Sequence, residues 1–171
     1  MRKKSIYRFE YFTLDINYNP KITEIKMNLL IPIVNTKNLP YCVEFLKETF
    51  PSVLKTQCFN EGNLKFEKEV EKTEIGHLLE HILIEHICLA LIAKGKDYAE
   101  CQGRTDWNWN EEREGTFHIF IDTANINLPL FNECIKKSIS LLEGLLATSV
   151  IYTYVPENTL PDQSEKRVLT L

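Results

Sequence analysis

The longest continuous pattern in the chain runs from Glu74 to Ala93. With residues placed about 100° apart, apolar side chains fall almost all the way round, which predicts a helix buried on most sides. Upstream, Ser5 to Tyr18 is rich in aromatic and β-branched residues, and Glu24 to Val34 alternates before turning mostly apolar. Two strands joined by a turn at Asn19-Pro20 are expected there. Asn38-Leu39-Pro40 opens an amphipathic helix carrying Val43, Phe45, Leu46 and Phe50, which Pro51 ends. A loop with Cys58 and Gly62 and a charged segment, Lys65 to Lys72, lead to Thr73 and the apolar helix, which Gly95 closes. Beyond a polar loop, Asp106 to Gly115, the alternation of Thr116 to Asp122 predicts a strand. Asn127-Leu128-Pro129 then begins a long helix with the stripe Phe131, Ile135, Ile139, Leu142 and Leu146. A last strand is expected at Val150 to Val155, followed by a loosely held polar tail, 156–171. The expected class is therefore α/β in the α+β sense: one domain over residues 1–155, with a small, mostly antiparallel sheet packed against long helices and a buried central helix.

Composition narrows the partners. The 171 residues are 44% hydrophobic and 26% charged, enough for one sizeable core. A net charge of -4 supplies no cationic surface for nucleic acid or an anionic membrane, and favours a cationic ligand. The five cysteines, at 42, 58, 88, 101 and 134, are odd in number and form no CxxC pair, which fits a reducing cytoplasm. The basic start Met1-Arg2-Lys3-Lys4-Ser5 is followed by Tyr7, Arg8, Glu10 and Asp15 instead of an apolar run, so export is not expected. Ile82 to Ala93 is interrupted by Glu85 and His86 and is too short to cross a bilayer.

The chemistry concentrates on the buried helix, in His77-Leu78-Leu79-Glu80-His81. Histidines four apart share a helix face, with Cβ atoms about 5 to 6 Å apart, and can grip one metal. A divalent ion also offsets the cost of carboxylates on an apolar helix, and zinc bound by His77 and His81 would acidify a water that Glu80 can deprotonate, as in inverted H-x-x-E-H hydrolases. The alternative is a buried His–Glu hydrogen-bond pair with no metal. Two carboxylates are candidate third ligands. Glu85 lies about 6 Å further along the axis and reaches more easily to a hydrogen bond with His81, whereas Glu143 flanks the stripe of the last helix and Glu133 falls on its opposite side. His86 occupies another face and reads as a satisfied core histidine, and the cysteines read as small buried hydrophobes.

Phe50-Pro51-Ser52-Val53-Leu54, then Cys58, Gly62, Leu64, Phe66 and Val70, then Gly76 to His81 with Glu85, and finally Gly103-Arg104-Thr105 and the strand after Gly115 form a spaced series of motifs. This series, over roughly residues 40–123, resembles the N-terminal domain of cyanophycin synthetases. The resemblance implies a domain that handles cyanophycin, a poly-aspartate with arginine on each side chain, or a related peptide. In many members the helix motif matched here by His77, Glu80, His81 and Glu85 forms a metallopeptidase-like site that cuts polymer into primers. The element order is also similar to pitrilysin-type peptidases, whose third ligand comes from a later helix, which keeps Glu143 in view. No P-loop of the G-x-x-x-x-G-K-[ST] kind occurs, and the ATP-dependent domains of a complete synthetase are not expected in this chain.

The loop Asp106 to Glu114 looks longer and more aromatic than its family counterpart. Trp107 and Trp109 could stack on arginine guanidinium groups while Glu111, Glu112 and Glu114 pair with them, the alternative being a solvated loop with the tryptophans folded onto the domain; Arg104 could hold a substrate carboxylate or form a structural ion pair. The sequence reading is thus a zinc-dependent, peptidase-like hydrolase of an arginine-rich isopeptide polymer. The alternatives are a non-catalytic module presenting such a peptide to a separately encoded ATP-dependent ligase, and a purely structural domain.

Overall fold

A computed structural model describes residues 3–59 and 65–154. Five antiparallel strands form one sheet: β1 (Lys3–Arg8), β2 (Phe12–Tyr18), β3 (Ile22–Leu29), β4 (Gly103–Asp106) and β5 (Thr116–Asp122), in the order β1-β2-β3-β5-β4. The alternation of the sequence sets its two faces. Leu14, Ile16, Ile25, Met27, Phe117, Ile119 and Ile121 point inward and are buried, while Asp15, Glu24, Lys26 and His118 point outward. A one-residue slip would exchange the faces, so pairings such as Ile25 with Ile119 fix the register.

The described residues form four α-helices, α1 (Cys42–Thr49), α2 (Phe66–Glu69), α3 (Ile75–Ala93) and α4 (Leu128–Tyr154), of which α3 lies directly on β4 and β5. The architecture is α+β, and α3 lies between β4 and β5 on one side and α4 on the other. Gly76 is obligatory at the α3–β5 approach, because a Cβ there would sit 2.5 Å from the ring of Phe117. By length and composition α3 could span a bilayer, but 56% of its apolar window is buried inside the fold, where its all-round hydrophobicity is used.

Three expectations change. The predicted first strand is two strands, β1 and β2, which reverse at Phe9–Tyr11 with Phe9 N–H donating to the Phe12 carbonyl at 3.0 Å. Alternation on either side of a tight reversal reads as one run. The short polar strand β4 carries no periodicity and was not anticipated. Val150 to Tyr154 continues α4 instead of forming a strand; the helix penalty of β-branched residues, about 0.5 kcal/mol each, is smaller than the cost of breaking an established ladder. Val155, the tail 156–171, Gly62 and Leu64 lie outside the described residues.

Candidate metal centre

Two chain segments meet at the N-terminal half of α3. One is the stretch after the 3-10 turn Pro51–Lys55, which carries Thr56 and Cys58 and is held by a bridge between Gln57 and Lys65 and by Phe66 N–H donating to the Thr56 carbonyl at 2.9 Å. The other is α3, with His77 and His81 on one face. Phe66, fully buried, stacks on the His81 ring at 3.8 Å and 11° and meets His77 edge-on at 5.8 Å. The rings are thereby fixed before any ligand arrives.

Hydrogen bonding then selects which nitrogens are available. The Thr56 hydroxyl donates to the Val53 carbonyl at 2.7 Å, so it accepts from His81 Nδ1–H at 2.9 Å. That leaves His81 Nε2 with a bare lone pair. Thr73 Oγ1 lies 2.7 Å from His77 Nδ1, and His77 Nε2 faces Cys58 Sγ at 3.5 Å. The Thr73 hydroxyl thus serves the side chain four residues on. One ligand atom each from Cys58, His77 and His81 lies within 4.8 Å of the others, and among the described residues this is the group of three able to hold a metal ion.

Burial sets the protonation of this region. It pulls His77 below the ordinary imidazole range despite the opposing charges of Glu69 and Glu74, and lowers His81, with help from His77, to about 3. Both are neutral at pH 7, as ligation requires. Glu80 is raised by burial to about 7, against the hydrogen bond from Thr105 and with a further upward push from Asp106.

Glu80, His77 and His81 are brought to the same end of α3, but the carboxylate of Glu80 turns toward β4. Its Oε2 accepts from Thr105 Oγ1 at 2.5 Å, and its Oε1 lies where a side chain at Gly103 would begin, 2.9 Å from that Cβ position. Among the described residues the side chain that joins the two histidines in a group able to hold a metal is Cys58, and neither Glu85 nor Glu143 belongs to that group. Glu85 is half-buried near Cys88, and the half-buried Glu143 has its charge felt at Tyr11 of the β1–β2 reversal. Glu133 pairs with Lys137 at 2.8 Å. His86 is the satisfied histidine expected: its Nδ1 meets Ser138 Oγ at 3.0 Å, and Phe50 stacks on its ring at 4.2 Å.

The expected substrate residues divide between the two faces of the sheet. Arg104 pairs with Asp106 at 2.8 Å and lies over Phe120, and Glu112 bonds both Lys26 and His118 at 2.7 Å; these are outer-face interactions. Trp107 and Trp109 instead pack edge-on against Phe117, on the α3 side. Trp109 is anchored by its Nε1–H to the Thr116 carbonyl at 3.0 Å, and Trp107 remains 41% exposed. Cys58, Thr56 and Thr105 escaped sequence reasoning because nothing local links them to α3; Thr73, four residues before His77, did carry a helical-spacing signal. In comparisons with known proteins, no family model and no curated protein matches the chain.

Proposed function

We propose that this chain is a zinc-dependent, peptidase-like hydrolase of cyanophycin or a related arginine-rich isopeptide polymer. The observation that carries the reading is the convergence of Cys58, His77 and His81 one residue from Glu80. One thiolate and two neutral imidazoles are a borderline-soft donor set that suits zinc, and three protein ligands leave a fourth position open. In a tetrahedral zinc site sulfur and nitrogen ligands stand about 3.6 Å apart; Cys58 Sγ and His77 Nε2 stand at 3.5 Å. Zinc supplies Lewis acidity toward a carbonyl and acidifies water.

The chain's own groups do the rest. Thr56 and Thr73 hold the Nδ1 atoms so that the Nε2 atoms converge, and Phe66 locks the ring planes. Glu80, whose Oε2 accepts from Thr105 in the metal-free chain, would take a proton from the attacking water and return it to the leaving amine. Trp107, exposed on the same side of the sheet, offers a ring face to an arginine guanidinium. The substrate class rests on the resemblance of residues 40–123 to cyanophycin synthetase N-terminal domains. Thiol ligation suits the cytoplasm, where Cys58 stays reduced.

The test is cleavage of arginine-bearing β-aspartyl isopeptides by the zinc-loaded chain. Glu80→Gln is expected to lower the rate by about 10²- to 10⁴-fold with zinc content unchanged. The second reading, a non-catalytic module serving a separate ATP-dependent ligase, is favoured by one feature: Glu80 already has a hydrogen-bond partner in Thr105. Peptide binding without cleavage, equal in wild type and Glu80→Gln, would establish that reading instead.

A further inference from the structure

A second thiol site lies further along α3, apart from the metal-ligating group. The extended segment 101–105 runs antiparallel to α3 with its odd-numbered residues facing the helix. Thr105 bonds Glu80, Gly103 lies against Glu80 and Ile84, and the same two-for-four register sets Cys101 against Cys88, where each thiol feels the other. The spacing is geometric: four strand residues span about 13 Å and eight helix residues about 12 Å, so the contacts stay in step. The Asp122 N–H donates to the Gln102 carbonyl at 2.9 Å, which keeps the segment on β5 as far as Cys101. Both thiols are half-buried, so small oxidants reach them while their approach is held by packing.

We propose that Cys88 and Cys101 form a reversible disulfide that fastens the edge strand β4 to α3 and thereby fixes Thr105 on Glu80. The direction of attack follows from the contact. Cys101 beside it draws the Cys88 thiol below the ordinary range, although burial and Glu85 act in the opposite sense. Cys101 is itself held upward by Cys88, burial and Asp122, against Lys96. The Cys88 thiolate attacks a low-molecular-weight disulfide and releases one thiolate. Cys101, losing its proton to solvent, attacks the resulting mixed disulfide at the Cys88 sulfur and expels the second. Two protein thiols are oxidised and one external disulfide is reduced to two thiols. The consequence is local because β4 has four residues and, among the described residues, pairs only with β5 at the sheet edge.

The experiment treats the full chain with glutathione and oxidised glutathione at fixed ratios, then maps peptides without reduction and follows hydrogen exchange. The expected result is one cross-link joining Cys88 to Cys101. Exchange at Gly103–Asp106 should slow about tenfold or more on oxidation, and neither change should occur in Cys88→Ser. Cys101→Ser serves as the second control should Cys88→Ser fail a circular-dichroism check. A persistent glutathione adduct at either residue, cross-links to other cysteines, or unchanged exchange at β4 in the oxidised chain would overturn the proposal.

Discussion

The two halves of α3 hold their histidines in closely similar ways, yet among the described residues only the N-terminal half gathers a group able to hold a metal. His81 has Nδ1 on a threonine hydroxyl and a phenylalanine stacked on its ring; His86 has Nδ1 on a serine hydroxyl and a phenylalanine stacked on its ring. The Ser138 hydroxyl donates to the Cys134 carbonyl, just as Thr56 donates to Val53, so both side chains accept from Nδ1–H. Burial lowers both imidazoles. The difference lies in what surrounds the other nitrogen: His77 and Cys58 bring two more donor atoms toward His81, whereas no such group forms at His86 among the described residues. A buried, oriented, neutral histidine is therefore a sound core residue, and becomes a ligand only when other donors converge on it.

The strongest way to break this comparison is to remove the histidines themselves. His77→Ala and His81→Ala are each expected to weaken zinc binding by roughly a thousandfold or more, while His86→Ala retains about one zinc per chain; competition with a chromophoric chelator measures both. Equal losses at all three positions would dissolve the distinction.

Acid separates the halves next. A histidine whose folded pKa is depressed takes up its proton more readily when unfolded, so in the metal-free chain each such group costs roughly 1.4 kcal/mol per pH unit below about 6.5, for His81 down toward about 3, while Glu80, raised to about 7, contributes in the opposite sense. Urea titrations of chelator-treated protein from pH 7 to pH 5 are expected to show the His81 contribution as a difference in slope between the wild type and His81→Asn. A slope unchanged in that variant would contradict the burial assigned to His81.

Smaller effects come from the hydroxyls. Thr56→Val should reduce zinc affinity by about 10- to 100-fold, because the His81 tautomer and ring direction are no longer held. Ser138→Ala should leave zinc affinity unchanged and cost about 1 kcal/mol in unfolding free energy. Zinc lost with Ser138 would mean that the two halves of α3 are coupled.

Much of the fold was legible along the chain. The all-round hydrophobicity of α3, the alternation of β5 and the stripe of α4 report local periods of backbone geometry, and those periods are fixed by the chain itself. So is the pairing of His77 with His81, since four residues of helix always return to the same face. The reversal at Phe9–Tyr11 and the four-residue β4 were not legible, because alternation does not mark a tight turn and a short polar edge strand takes its shape from its neighbour.

The candidate third ligand comes from elsewhere in the chain. Glu85 and Glu143 were reasonable on helical grounds, but Cys58 reaches the histidines through a 3-10 turn and a bridge to Lys65, a path no periodicity records. Thr105 meets Glu80 and Cys101 meets Cys88 for the same reason: the sheet order sets β4 beside α3. The sequence determined which side chains share a helix face, because helix pitch is a property of a few consecutive peptide units. Which distant side chains complete the site was settled only by how the buried faces packed together.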